Sequence, residues 1–238
     1  MTDPRVIDRR LTVLGQQIRV SVRTGVGVPL VLCNGIGIGL DVLDPLVDHL
    51  DADTTVVRFD VPGIGGSANS PAPYGFPYLA GWLGRLLREV RVTGPVDVLG
   101  FSWGGALAQQ FAFQDPHRCR RLILVSTSTG AIMVPGKPWI LAKLLIPQRF
   151  PRRHHDEPAD DTARDKPQDV NGPMIRPSRS GGRIGYLYQL LAGSVWTSIF
   201  ALPLIRQDTL IITGTDDPVV PAVNARIMPA RCPMPPCT

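Results

Sequence analysis

Val96-Asp97-Val98-Leu99-Gly100-Phe101-Ser102-Trp103-Gly104-Gly105-Ala106-Leu107 is the stretch that decides the fold. Its first four residues read as a short buried strand. Residues 104–114 have a helix-forming composition, and a G-x-S-x-G pattern stands between strand and helix. That pattern fits a tight strand-to-helix turn whose small flanking residues let two chain segments pass closely. Such a turn lifts the serine oxygen out of the sheet and aims the helix N-terminus at it, which favours developing negative charge. Five residues alone would be weak, since Gly and Ser are common. The strand before and the helix after set this turn apart from an ordinary Gly-rich one.

Outward from this turn the same alternation continues. Residues 10–14 and 17–23 alternate around Gly15 and predict a strand pair. Residues 28–33, 54–59 and 121–126 are further short apolar strands, and residues 41–50 and 79–90 carry helical spacing. Strand and helix in turn predict a mostly parallel sheet with helices on both faces. The pattern breaks after about residue 134. Residues 139–146 read as an apolar helix and residues 151–179 as a polar, Pro-containing loop. Residues 185–200 return to an apolar and aromatic helix, and residues 209–213 form another core strand. The expected division is a core from 1–133, an insertion at 134–196, a second core part at 197–228 and an aberrant tail at 229–238.

Composition narrows the function classes. The 238 residues are 44% hydrophobic and 19% charged, a globular balance that can bury a core without staples. Four cysteines make no disulfide scaffold, and no apolar run reaches the ~18 residues of a membrane span. The first residues read as no secretory leader, so a cytoplasmic location is expected. The net charge of +5 comes from scattered residues, with lysine only at Lys137, Lys143 and Lys166. Without a basic block this reads as a solvated surface, and no nucleic-acid partner is expected. No metal site is expected, since no Cys or His pair has matching partners.

A serine hydroxyl needs a base, an orienting acid and an oxyanion hole. Asn34-Gly35-Ile36-Gly37 follows the strand ending near Cys33, and the backbone N–H groups of Ile36 and Trp103 are the candidate oxyanion donors. A plain strand-to-helix turn is the competing reading of that loop. In Gly214-Thr215-Asp216-Asp217-Pro218 the candidate acid is Asp217, preferred to Asp216. A loop carboxylate capping the next helix is the alternative. The order Ser, Asp, His would place the base after Asp217, where this sequence has no histidine. His49 and His117 read as surface residues, and His154 and His155 fall in the polar insertion.

On these residues the chain resembles the intracellular medium-chain-length poly(3-hydroxyalkanoate) depolymerases, a branch of the α/β-hydrolase superfamily. The likeness rests on residues 34–37, 59–67, 100–111 (GFSWGGALAQQF), 134–138 (VPGKP), 182–198 (GRIGYLYQLLAGSVWTS) and 205–221. It implies an α/β-hydrolase fold with Ser102 as nucleophile, Asp217 as orienting acid and a cap over the active site. It implies cleavage of ester bonds in a stored polyester at a granule surface, without cofactor. Tyr186, Tyr188, Leu190 and Trp196 are either acyl-pocket lining or, the favoured reading, plain cap core. Substrate-binding residues stay unassigned.

Family members carry a further strand, an Asp-Gly-His stretch and a final helix, which this chain lacks. The resemblance predicts something like I-P-N-A-x-L-H where the chain reads Arg231-Cys232-Pro233-Met234-Pro235-Pro236-Cys237-Thr238. Shifted back by one base, the codons from Cys232 onward permit Val-Pro-Asp-Ala-Ala-Leu-His, with only the first alanine forced. The expectation is a frameshift near Arg231, a missing last strand and helix, and a weak or inactive, poorly soluble product. Two other readings stay open. One is a small-molecule esterase or C–C bond hydrolase of the same fold; the other is a non-catalytic remnant or granule-binding protein.

Overall fold

The computed structural model describes residues 5–139, 141 and 182–228. Seven strands form one sheet in the order β1-β2-β4-β3-β5-β6-β7. They are β1 (Val6–Val13), β2 (Gln16–Arg23), β3 (Val26–Cys33), β4 (Thr54–Phe59), β5 (Val96–Phe101), β6 (Cys119–Val125) and β7 (Asp208–Ile212). β1 and β2 pair antiparallel with Val13 opposite Gln16, joined by Leu14 and Gly15, both at positive φ. This is the hairpin that the alternation around Gly15 predicts. β2 also runs antiparallel to β4, and every other pairing is parallel.

Side-chain alternation along the parallel strands builds two layers. Val31 and Cys33 of β3, Val96 and Val98 of β5, and Leu122 and Leu124 of β6 join one core cluster. That layer is closed by α2 (Phe76–Glu89) and α3 (Trp103–Gln114), whose buried residues include Phe76, Leu79, Leu83, Leu107 and Phe111. Leu30, Leu32, Val56 and Leu99 face the other way and pack with Val47 of α1 (Asp44–His49). The expected helix over 41–50 is divided, a 3-10 turn at Leu40–Leu43 preceding α1, because Pro45 resets the backbone at the first helical turn.

Two further helices are described, α4 (Arg183–Val195) and α5 (Val223–Ile227). The expected helix at 185–200 ends at Val195, where Trp196 turns extended. α4 buries its small and polar residues, Gly185, Gln189 and Ala192, while Ile184, Leu187, Leu191 and Val195 stay exposed. Its seat is the turn after β4: Gly182 N–H donates to Gly63 O at 3.1 Å, and a Cβ on Gly185 would lie 2.1 Å from that oxygen. Most of the expected helix at 139–146, the loop at 151–179, His154 and His155, and the tail at 229–238 lie outside the described residues.

Candidate active site

The sheet order places the site. From β3 the chain passes to β4 on one side and then to β5 on the other. In an open parallel sheet the carboxyl ends of two such strands frame a crevice. Cys33 pairs with Gly100, so the loops that leave β3 and β5 begin side by side at this crevice. The first carries Asn34, Gly35, Ile36 and Gly37, and the second begins at Ser102.

Ser102 has φ 52° and ψ −117°, a conformation that few L residues adopt without support. The support is visible. Ser102 N–H donates to Val125 O at 2.8 Å, and the Ser102 carbonyl accepts from Gly105 N–H at 2.8 Å and from Thr127 Oγ1 at 2.7 Å. The flanking glycines are sterically required. A Cβ on Gly100 would lie 2.5 Å from Gly104 O, and one on Gly104 would lie 2.1 Å from Cys33 O. The Ser102 side chain makes no capping bond to α3, so its oxygen is not used up by the helix that it starts. The first-turn N–H of Trp103 has no intrahelical carbonyl to bond.

Ile36, Ser102 and Trp103 line one cavity of about 180 Å³ together with Phe76, Trp196 and Val220. Its wall is mainly apolar, suited to an acyl chain beside a reacting carbonyl. Of the four cap residues singled out in the sequence, Trp196 lines this cavity. Tyr186 packs over Gly37 and Tyr188 packs edge-on against Tyr74 at 5.9 Å. Asp217 lies past the end of β7, half-buried, while Asp216 is exposed. Its Oδ1 accepts from Val219 and Val220 N–H, each at 2.9 Å. These are loop bonds and not a helix cap, since the next helix starts at Val223 without a side-chain capping bond, and Val220, which that oxygen holds, reaches the cavity wall.

Comparison with known proteins agrees with this fold. Residues 28–175 match the family model described as alpha/beta hydrolase fold. A poly(3-hydroxyalkanoate) depolymerase of Ectopseudomonas oleovorans is 42% identical over 95% of this chain and 82% of its own. The chain belongs to the α/β-hydrolase family. A pimeloyl-[acyl-carrier protein] methyl ester esterase of Aromatoleum aromaticum is 29% identical over 86% of this chain and 85% of its own. The enol-lactonase from Burkholderia xenovorans superposes with a TM-score of 0.74 at 21% identity, over 94% of this chain and 88% of that one. That last likeness is one of fold.

The two described histidines of this α/β-hydrolase stand away from Ser102. His49 closes α1 and lies within 2.6 Å of Pro45 O, and His117 is exposed just before β6. Helices and loops that lead into parallel strands lie at the edge opposite the carboxyl ends. Among the described residues no helix is long and apolar enough to cross a membrane.

Two residues that shape the site went unread in the sequence. Asp60, at the end of β4, is 1% exposed and accepts from Leu40 N–H and Gly66 N–H, each at 2.7 Å. Burial is the main cause that pushes its carboxyl up to about 6. Gln189 of α4 is also 1% exposed and accepts from Gly37 N–H of the loop after β3 and from Trp103 Nε1 of α3. A single polar residue among Gly185 and Ala192 on the buried face of an apolar helix was the available signal for it.

Proposed function

We propose that this hydrolase cleaves carboxylic esters through Ser102 and that its substrate is medium-chain poly(3-hydroxyalkanoate). The observation that carries the reading is Ser102 at positive φ on the β5–α3 turn, opening into the cavity that Ile36 and Trp103 also line. Ser102 Oγ attacks the ester carbonyl. The N–H groups of Ile36 and Trp103 hold the oxyanion, and donors of this kind contribute about 3–4 kcal/mol each where measured. The base carries the Ser102 proton to the departing alcohol end of the polymer, and water deprotonated by the same base then releases the acyl group from Ser102 as the acid.

Asp217 would orient a histidine through Oδ2, since Oδ1 holds the backbone of Val219 and Val220. The codons from Cys232 onward, shifted back by one base, permit a histidine, and that histidine is the base of the proposed mechanism. The depolymerase relative supports the polymer as substrate, and a cytoplasmic site of action at the granule surface is proposed with it. The methyl ester esterase relative supports a second reading, a small ester held in the same cavity.

The test is release of 3-hydroxyoctanoate from poly(3-hydroxyoctanoate) granules. It compares the chain as given with the product of the gene read one base back after Arg231. The second should exceed the first by several orders of magnitude, the loss expected without a base. Ser102→Ala should abolish release by the shifted-frame product. Hydrolysis of p-nitrophenyl butanoate without granule breakdown would favour the small-ester reading. Granule release that survives Ser102→Ala would overturn the serine mechanism.

A further inference from the structure

We infer that Gln189 is a positioning residue that sets the oxyanion loop of this hydrolase, an inference that rests on the reading of Ile36 and Trp103 N–H as oxyanion donors. Loop geometry supplies the argument. A peptide group is planar, so the direction of one N–H follows from the carbonyl in the same plane. Gly35 O accepts from Ile38 N–H at 3.4 Å, which turns that carbonyl into the loop and the Ile36 N–H of the same peptide to the opposite side. The next peptide is set by Gln189, whose Oε1 accepts from Gly37 N–H at 2.7 Å. Together these two bonds fix both peptides that flank Ile36.

Asn34, at the start of the loop, does not share this task. Its side-chain Nδ2 and Oδ1 are buried without hydrogen-bond partners among the described residues. The main-chain carbonyl of Gln189 accepts from Trp103 Nε1 at 2.9 Å. One residue of α4 thus bonds to both elements that bear the proposed donors. Tyr186, nearly one turn earlier, covers Gly37 so closely that a Cβ there would lie 2.8 Å from its ring. A buried amide has a cost that an apolar side chain on this helix would avoid, and its hydrogen bond to the loop offsets that cost.

The side-chain and main-chain bonds can be separated. Gln189→Met keeps length and burial but offers no comparable acceptor. In the chain as given, hydrogen exchange at Gly37 N–H should rise about tenfold in this variant, while exchange at Trp103 Nε1–H stays unchanged. Octanoate, which carries an anionic oxygen, should bind about tenfold more weakly by tryptophan fluorescence, and 1-octanol within about twofold of wild type. Gln189→Glu, which retains an acceptor oxygen, should return Gly37 exchange to within about threefold of wild type. Unchanged Gly37 exchange in Gln189→Met would overturn the inference. So would joint loss of protection at both donors, since Gln189 would then seat the helix rather than the loop, and so would equal weakening of octanoate and octanol. Acylation of Ser102 by p-nitrophenyl octanoate is read separately in the shifted-frame product, and its failure there would contradict the serine mechanism whatever the Gln189 variants do.

Discussion

Asp60 is the residue whose charge and placement pull hardest against each other. Its carboxylate brackets the turn after β4, holding Leu40 N–H with one oxygen and Gly66 N–H with the other, while Arg19 Nη1 stands 4.0 Å away. These contacts favour the charged form, yet burial outweighs them and raises the carboxyl from 3.8 to about 6. A raised carboxyl means that the native chain binds a proton more readily than the unfolded one between these values. The contribution of this group to stability is therefore highest below about pH 4, falls as pH rises toward 6, and is flat above. Urea midpoints of wild type and Asp60→Asn from pH 4 to pH 7 should show wild type losing about 2–3 kcal/mol relative to the variant across that window. A pH-independent difference would place the group's native titration at its ordinary value. Ser102 is the other residue held by its surroundings, and its tight turn was legible because small residues must flank it, although its φ of 52° was not predicted.

At the scale of elements, the strands were the legible part. β4 falls on the residues that the apolar run predicts, and β5 and β6 lie within two residues of their expected bounds. Short continuous apolar runs between Gly- and Pro-rich turns leave little choice when both faces of a parallel sheet are covered. The seating of α4 was not legible. Its exposed residues are the large apolar ones, and its contact face is made of Gly185, Gln189 and Ala192, a pattern opposite to the usual apolar stripe. The reason is close approach: Gly185 meets Gly63 backbone to backbone, which no side-chain periodicity announces. Gly185→Ala should lower stability by about 1–3 kcal/mol, as overpacking does. Gly81→Ala, whose Cβ on α2 would meet its nearest atom at 3.6 Å, should leave stability equal or raise it by about 0.5–1 kcal/mol. Thermal melts of both variants check the contrast, and equal shifts would contradict it. The candidate site was legible in the same uneven way. Ser102, Trp103 and Ile36 follow from strand ends, whereas Gln189 reaches the loop from 152 residues further along the chain.

Across the whole molecule, a few arginines tie elements together, and among the described residues Arg23 and Arg58 are buried. Arg23 donates to the carbonyls of Val47, Asp51 and Thr54, tying α1 to β4, and Arg19 pairs with Asp8 and Asp41. The less protected part is the far side of the sheet. Leu210 and Ile212 of β7 lie beside Ile123 and Val125 in register, and they are 56% and 47% exposed. Among the described residues β7 pairs on one side only. An apolar strand with a free edge is a template for association. Sedimentation of the chain as given should show concentration-dependent self-association, reduced by the double change Leu210→Lys and Ile212→Lys. A monomer at all concentrations would contradict this. The central claim is that Ser102 is the nucleophile of an ester hydrolase. Its most direct test is peptide mass spectrometry of the shifted-frame product, acid-quenched after brief reaction with p-nitrophenyl octanoate, whose leaving group needs little help from an acid. The account predicts one octanoyl group on Ser102, absent in Ser102→Ala. A folded protein that stays unmodified at Ser102, or takes the group elsewhere, would contradict it.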